Sequence, residues 1–420
     1  MAYLRNLVVL VVLAALVLVL LPSRSAVDFG EWRALVIHSD DWGLEGWFPD
    51  DISDSLRARL STDVPDWQAA YLESTLENAE EVRDLAEWFA TIEDVDGLPF
   101  VLQANTVMAG PSVREPSADG SWPVHTSGAG PDYDRPGLDA AIDAAIEAGV
   151  WWPELHGLTH YDLVRYADAR KRGDALALAA ASEGVFAYEG YRRESELDRD
   201  DADYARAVVG EAVERFEARF GRRPVSVIAP DYRWGDEDER AWAEAGIGIV
   251  QAKREQVDRS LAPHTRWGRF QKRLKRVWFD RSSPMARVER TVDLEPYGDI
   301  DSDASQGAFA AYRALEGAMA RGELAVLSIH RVQLVSMDES VAEAGRRQLE
   351  HLLRLLGESG GVRFLVDDEV GQLRRQGWSV IQRGGLTVYR NWTDEDRTLP
   401  GPDGTARFVK AGSSAVSRNF

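Results

Sequence analysis

The chain has 420 residues, with 49 lysines and arginines against 70 aspartates and glutamates, a formal charge of −21. That balance excludes nucleic acid as a partner, because phosphate backbones require basic surface. There is no cysteine, so neither disulfides nor thiolate metal ligands are available. The length holds one large core or two modest ones.

Arg5 precedes fifteen consecutive apolar residues, Leu7 to Leu21, followed by Pro22-Ser23-Arg24-Ser25-Ala26. This run lies between the core of a signal peptide and a membrane span, so a cleaved signal and a retained anchor both stay open over residues 1–27. Either one sends the chain from about residue 28 out of the cytoplasm, to a periplasmic or other extracytoplasmic location. From there, short apolar strands alternate with helical stretches. Ala34 to Ile37 reads as a strand, Asp66 to Ile92 as a helix and Leu98 to Ala104 as a second strand. Residues 109–137, rich in Gly, Pro and Ser, read as a long loop over the mouth of a site. Leu138 to Ala148 is a helix, and Val150 to Pro153 is a strand. Asp203 to Phe220 is a helix stopped by Gly221. Val225 to Ile228, Gly246 to Ala252, Val288 to Leu294, Leu324 to Ile329 and Val362 to Leu365 read as strands. Asp236 to Ala245, Ala308 to Ala320 and Val341 to Leu356 read as helices between them. Seven or eight strand–helix units over residues 28–375 predict an α/β fold, a distorted (β/α)7-8 barrel. Residues 376–420 form an extension with a hairpin expected around Gly384-Gly385 and a polar, loose tail.

Four polar segments close or follow these strands: His38-Ser39-Asp40-Asp41-Trp42-Gly43, His156-Gly157-Leu158-Thr159-His160, Ala229-Pro230-Asp231-Tyr232 and Leu327-Ser328-Ile329-His330. The C-terminal ends of successive strands are where an α/β barrel builds its active site. One carboxylate with two imidazoles at i, i+4 suits Zn2+ and leaves a position open for water. Each piece also has an ordinary reading. Asp-Asp after a strand is often a turn or helix cap, a histidine pair arises on any helix, and His330 alone reads as a buried, satisfied histidine. The ordered set favours a metal-dependent hydrolase.

In these segments the chain resembles the polysaccharide deacetylase family, the NodB-homology carbohydrate esterases, over about residues 32–370. Asp40-Asp41, His156/His160 and Leu327 to His330 match that family's motifs. The third motif matches only at Pro230: Ile228 stands where the family has an arginine, and Asp231 where it has an aromatic residue. The first motif also departs from the commoner Thr-Phe-Asp-Asp-Gly. The resemblance implies that Asp41, His156 and His160 bind one divalent ion, zinc. It implies Asp40 as general base, and His330, from the opposite side of the barrel, as general acid. Trp42, Pro230, Asp231, Tyr232 and Arg233 would contact substrate, an N- or O-acetylated oligo- or polysaccharide of the cell envelope or exterior. Arg233 is expected to replace the missing arginine by pairing with Asp40 or Asp231. Trp42, Trp47, Trp122, Trp152, Tyr161 and Trp234 are candidates for stacking on sugar rings, with core packing as the alternative. His38 is expected to hydrogen-bond behind the site. His125, His264 and His351 have no neighbours in the sequence that suggest a role.

Two other functions fit the residues less fully. A glycoside hydrolase would use a carboxylate pair from Asp231, Asp293 and Glu295 but leaves the triad unexplained. A catalytically inactive carbohydrate-binding protein would keep the pocket without the chemistry. Residues 266–290 carry nine basic residues against Asp280 and Glu289. Trp267, Phe270, Leu274 and Trp278 fall on one helical face. That stretch reads either as a barrel helix with its stripe packed inward, or as a contact for anionic lipid or polysaccharide beside the apolar residues 7–21.

Overall fold

The structure is a computed structural model. It describes residues 27–418 apart from 46–48, 50–51, 63–70, 73, 115–123, 131, 190–194, 198, 254–256, 259–284, 297–306 and 403. One nine-stranded parallel sheet forms its centre. The strands are β1 (Ala34–Trp42), β2 (Leu102–Thr106), β3 (Trp151–Leu155), β4 (Ser226–Val227), β5 (Ile249–Ala252), β6 (Ala286–Glu289), β7 (Val292–Asp293), β8 (Ala325–His330) and β9 (Arg363–Leu365). The lateral order is β6-β5-β4-β3-β2-β1-β8-β7.

The two ends of that order are one piece of chain. β6 pairs with β5 (Val288 opposite Gln251) and β7 pairs with β8 (Asp293 opposite Ser328). Only Arg290 and Thr291 lie between them, donating their amides to Ala252 O (2.9 Å) and Val326 O (2.8 Å). A single bent strand therefore serves both edges and closes the sheet into a barrel of seven staves. β9 is a wedge: it pairs with the foot of β1, Ala34–Val36, while β2 meets β1 only from His38 upward. The predicted distorted barrel is what these residues form.

Helices cover the outside: α1 (Ala79–Ala90), α2 (Leu138–Glu147), α3 (Ala202–Phe220), α4 (Asp236–Glu244), α5 (Ala308–Ala320), α6 (Glu339–Glu358) and α7 (Asp367–Gln376). α1 starts at Ala79, not at Asp66, because Asn78 caps it and Glu81 returns a bond to the Asn78 amide. Its Val82, Leu85 and Phe89 are buried at helical spacing. α3 ends as expected, at Gly221 with φ 67°. The loop after β2 includes a short hairpin, Ala109–Pro111 with Val124–Thr126.

The lumen is polar, although barrels of this kind are more often filled with branched apolar side chains. Alternate residues of each strand face inward. Thus His38 and Asp40 of β1, Gln103 and Asn105 of β2, Ser226 of β4 and Gln251 of β5 meet in two hydrogen-bonded layers. In the lower layer Asp367 accepts from Gln103 (2.8 Å) and pairs with His38 Nε2 (3.1 Å). The upper layer begins with a reciprocal Asn105–Gln251 amide pair, both bonds 2.8 Å.

After residue 376 the expected hairpin turns at Gly384-Gly385, but the polar tail beyond it is ordered, contrary to expectation. β10 (Trp378–Arg383), β11 (Leu386–Asn391) and β14 (Ser413–Arg418) form an antiparallel sheet, with β12 (Arg397–Pro400) and β13 (Ala406–Val409) as a further hairpin. Two buried arginines bind it to the barrel. Arg383 donates to Gly149 O (2.9 Å) and Pro99 O; Arg390 donates to Glu369 Oε1 (2.9 Å) and Asp96 Oδ2 (2.6 Å). What orders this polar segment is its side-chain partners in the barrel, which its own apolar content does not reveal.

Among the described residues no helix is long and apolar enough to cross a membrane. Residues 7–21 lie outside the described residues, as do 266–284 of the basic stretch; its end, Ala286–Glu289, is β6.

Arg390→Ala would leave Glu369 and Asp94 buried without their cation. It should cost about 3–5 kcal/mol, the usual penalty for half of a buried ion pair, read from the urea midpoint.

Candidate functional site

Asp41, His156 and His160 converge at the top of the barrel, with one ligand atom from each lying within 4.8 Å of the others. Asp41 Oδ1 is 3.2 Å from His156 Nε2 and 3.6 Å from His160 Nε2. Two residues depart from ordinary backbone to achieve this: Asp41 has φ 71° and His160 φ 70°. At Asp41 the β1–β2 register shifts. Simple alternation would aim Asp40 and Asp41 to opposite faces, but this irregularity lets both reach the site. It also turns Trp42 into the core, where it meets Trp151 edge-on at 4.4 Å and donates to Ser39 Oγ. Trp42 is therefore core, not substrate wall.

His156 Nδ1 donates to Ile228 O (3.1 Å), which aims Nε2 at Asp41 Oδ1. Burial lowers the His160 pKa to about 4, so the ring is neutral. Burial raises Asp41, but the His156 hydrogen bond and the surrounding imidazoles outweigh it and hold the carboxyl ionised. His160 Nδ1 is buried without a hydrogen-bond partner. Two imidazoles and an ionised carboxylate, with a ring nitrogen left over, fit a divalent ion of the zinc type.

Asp40, one position earlier, is occupied differently. Arg290 grips both its oxygens at 2.6 Å, and Asn105 Nδ2 donates to Oδ1 (2.7 Å). Burial raises the Asp40 pKa, but the guanidinium dominates and holds it well below the carboxylate range. Arg290 also donates to Ser328 Oγ (2.8 Å) and Tyr232 Oη (2.5 Å). Asp40 is thus paired with Arg290 and not with Arg233, which corrects that half of the expectation. The substitute for the arginine missing at Ile228 is Arg290, from the strand that closes the barrel. Its signal was present as an arginine inside the strand-like run Val288 to Leu294, but the basic stretch around it drew it into a surface reading.

His330 does not come from the opposite side. It is the register partner of Asp40 on the adjacent strand, with Nε2 3.7 Å from Asp40 Oδ2. Its Nδ1 lies 2.5 Å from Glu295 Oε1, and Tyr71 packs edge-on at 5.1 Å while donating to the same carboxylate oxygen. Burial lowers the His330 pKa, but Glu295 and the two aspartates overcome it and raise it to about 9. Glu295 is thus His330's partner, and Asp293 pairs with Lys253 (2.8 Å).

The third motif makes a tight turn, with φ 53° at Asp231 and 55° at Tyr232. Pro230 is buried, and Asp231, Tyr232 and Arg233 are partly exposed. Tyr232 carries Lys253 over its ring at 4.5 Å. Trp152, Tyr161 and Trp234 are buried and offer no face to a sugar; Trp47 and Trp122 lie outside the described residues. His38 bonds behind the site as expected. His125 does have company: Glu45 at 2.8 Å and Ser112 Oγ at 3.1 Å. Buried Arg331, next to His330, ties Glu77 (2.7 Å) to Leu44 O (2.9 Å) and so anchors the chain leaving β1.

No family model matches the sequence, and no curated protein does. Solved structures do. One is a polysaccharide deacetylase from Mycobacterium smegmatis: 13% identity, 82% of this chain and 96% of that one, TM-score 0.36. A family 4 acetyl xylan esterase from Clostridium thermocellum, in complex with a cobalt ion, shares 9% identity over 81% and 91% of the chains, TM-score 0.34. A CE4 family pseudoenzyme from Bacillus anthracis shares 9% over 80% and 64%, TM-score 0.29. The similar solved structures include other polysaccharide deacetylases and also an α-amylase from Thermotoga maritima, with 11% identity over 81% of this chain and 74% of that one, TM-score 0.40. At such identities and TM-scores they leave the activity to be read from the residues.

Arg290→Leu should raise the Asp40 pKa and cost about 3 kcal/mol or more at neutral pH, from an unpaired buried charge. Asp40 is depressed in the folded state, so its pairing stabilises the wild type above the unfolded carboxyl's pKa and fades only in acid. The variant's deficit should therefore shrink as pH falls.

Proposed function

We propose that the chain is a metal-dependent hydrolase that removes acetyl groups from N- or O-acetylated sugars of a cell-envelope or extracellular polysaccharide. The observation that carries this is the Asp41–His156–His160 cluster directly beside an Asp40–His330 pair whose members are tuned in opposite senses. Asp41, His156 and His160 would hold the ion, with zinc the best match to the donor set. A divalent ion there supplies Lewis acidity to the acetyl carbonyl and makes a water easier to deprotonate.

The protein's own groups supply the proton traffic. Asp40 Oδ2 takes one bond from Arg290 and keeps a lone pair on the side of His330, so it accepts the proton as water adds to the acetyl carbon. Arg290 keeps Asp40 ionised and fixes its plane. His330, protonated at neutral pH because of Glu295, gives its proton to the departing nitrogen or oxygen as the acyl bond breaks. Acetate and the free amine or hydroxyl leave. A glycosidase would need two carboxylates free to flank a glycosidic bond, and the pairing of Asp293 with Lys253 and of Glu295 with His330 favours it less.

Tyr232, partly exposed beside Arg290, and its neighbour Asp231 are the side chains best placed to meet the sugar. The apolar residues 7–21 support export to an extracytoplasmic compartment where such polymers lie.

Acetate release from a panel of N- and O-acetylated glycans, with metal content on the same samples, tests the reading. His160→Ala should lose the ion and the activity while remaining folded. Asp40→Asn should keep the ion and lose about 100-fold or more in rate. The rate should fall on the alkaline side with an apparent pKa of about 9 or lower, because the general acid must be protonated and a nearby cation depresses it.

A further inference from the structure

The loop His156-Gly157-Leu158-Thr159-His160 must hold two imidazoles on one point while connecting β3 to the next helix. Such a loop contains no helical or strand hydrogen bonds of its own. His156 N donates to Thr106 O (2.9 Å), and the amides of Leu158, Thr159 and His160 share a single partner. The carboxylate of Glu196, only 1% exposed, accepts from Leu158 N (Oε1, 2.8 Å), Thr159 N (Oε2, 2.6 Å) and His160 N (Oε2, 3.0 Å). It accepts as well from Thr159 Oγ1 (3.1 Å). The contact runs in the other direction too. Glu196 N donates to His160 O (3.3 Å), and the neighbouring Ser195 forms a bridge with Tyr161.

This arrangement accounts for two local oddities. A Cβ at position 157 would lie 2.2 Å from Glu196 Oε1, and φ there is 88°, so only glycine fits beneath the carboxylate. His160 sits at φ 70° with no glycine to ease it. A non-glycine residue holds that conformation only where its surroundings over-determine it, and three bonds to adjacent groups do so. A buried carboxylate acting through backbone amides is also stronger than a neutral acceptor would be, since charge-assisted bonds are about twice as strong.

We infer that Glu196 is the positioning residue of the metal centre, setting the spacing and aim of His156 and His160 through the backbone between them. It touches neither substrate nor ion. The inference rests on the reading of Asp41, His156 and His160 as ligands. Its sequence position, 36 residues beyond His160, gives no hint of the role.

The test is a zinc titration of the full chain by calorimetry with a competing chelator, on wild type, Glu196→Gln, Glu196→Asp, His160→Ala and Asp94→Asn. Asp94 is the control. It too is a buried carboxylate accepting amides, from Asp96 N (2.8 Å) and Leu98 N (3.0 Å), but at the other end of the barrel. Circular dichroism and thermal melts establish that each variant is folded. We expect Glu196→Gln to bind zinc about 10–100-fold more weakly, the range for lost partners behind metal ligands. Glu196→Asp, which keeps the charge, should recover part of that loss. Asp94→Asn should lower the melting temperature and leave the zinc affinity as in wild type. Unchanged affinity in folded Glu196→Gln, with binding abolished in His160→Ala, would overturn the inference and leave the metal centre standing. Equal losses in Glu196→Gln and Asp94→Asn would overturn it as well, by reducing Glu196 to general stability. No zinc bound by the wild type would overturn the metal centre and the inference together.

Discussion

The ion pair between Arg290 and Asp40 is the interaction on which both the barrel and its site depend. A charge buried inside a barrel is sustained only by a partner with good geometry, and a guanidinium gripping both carboxylate oxygens provides it. Arg290 sits at the bend between β6 and β7, where one strand changes partners from β5 to β8. The pair therefore ties the closing strand to the first strand across the lumen. The same guanidinium reaches Ser328, Tyr232 and Gln251, so four separate segments of the barrel are referred to one cation.

Around that pair the interior is polar in layers, which sets limits on both shape and chemistry. Amides, hydroxyls and carboxylates bond one another directly, through Gln103, Asp367, Ser226, Asn105 and Gln251. Such networks are stable only when complete, and they specify one arrangement more sharply than an aliphatic filling does. Above them the two acidic residues of β1 have opposite surroundings: Asp40 faces a fixed cation, Asp41 faces imidazoles. Neighbouring residues of one type so come to differ in role.

The elements in which sequence and structure agree are those whose information is local. Strand and helix limits followed hydrophobic spacing and caps, as at Gly221, and the ligand triad was legible because residue types and a short spacing carry it. The pairs that tune the site were not legible, because they are long-range. Arg290 is 250 positions from Asp40, and Glu295 and Glu196 lie in segments with no motif. Trp42 was misplaced for another reason: alternation along β1 predicts its direction only if the strand stays regular, and the irregularity at Asp41 reverses it. In the extension the hairpin at Gly384-Gly385 was legible but the order of the tail was not, because Arg383 and Arg390 are held by carbonyls and carboxylates of the barrel, and an arginine in a polar stretch ordinarily signals solvent.

The bent strand also has a kinetic meaning. β1, β2 and β3 can pair as they emerge from the chain, but β7 must find β8, and β8 must find β1 across nearly 300 residues of sequence, separations on the order of those that slow folding most. Until that happens Asp40 has no cation, and the top of the barrel lacks both His330 and Arg290. Closure of the barrel and assembly of the site are then one event. A partly folded chain would hold the histidine loop and yet have no His330 beside it, so the site would assemble all at once.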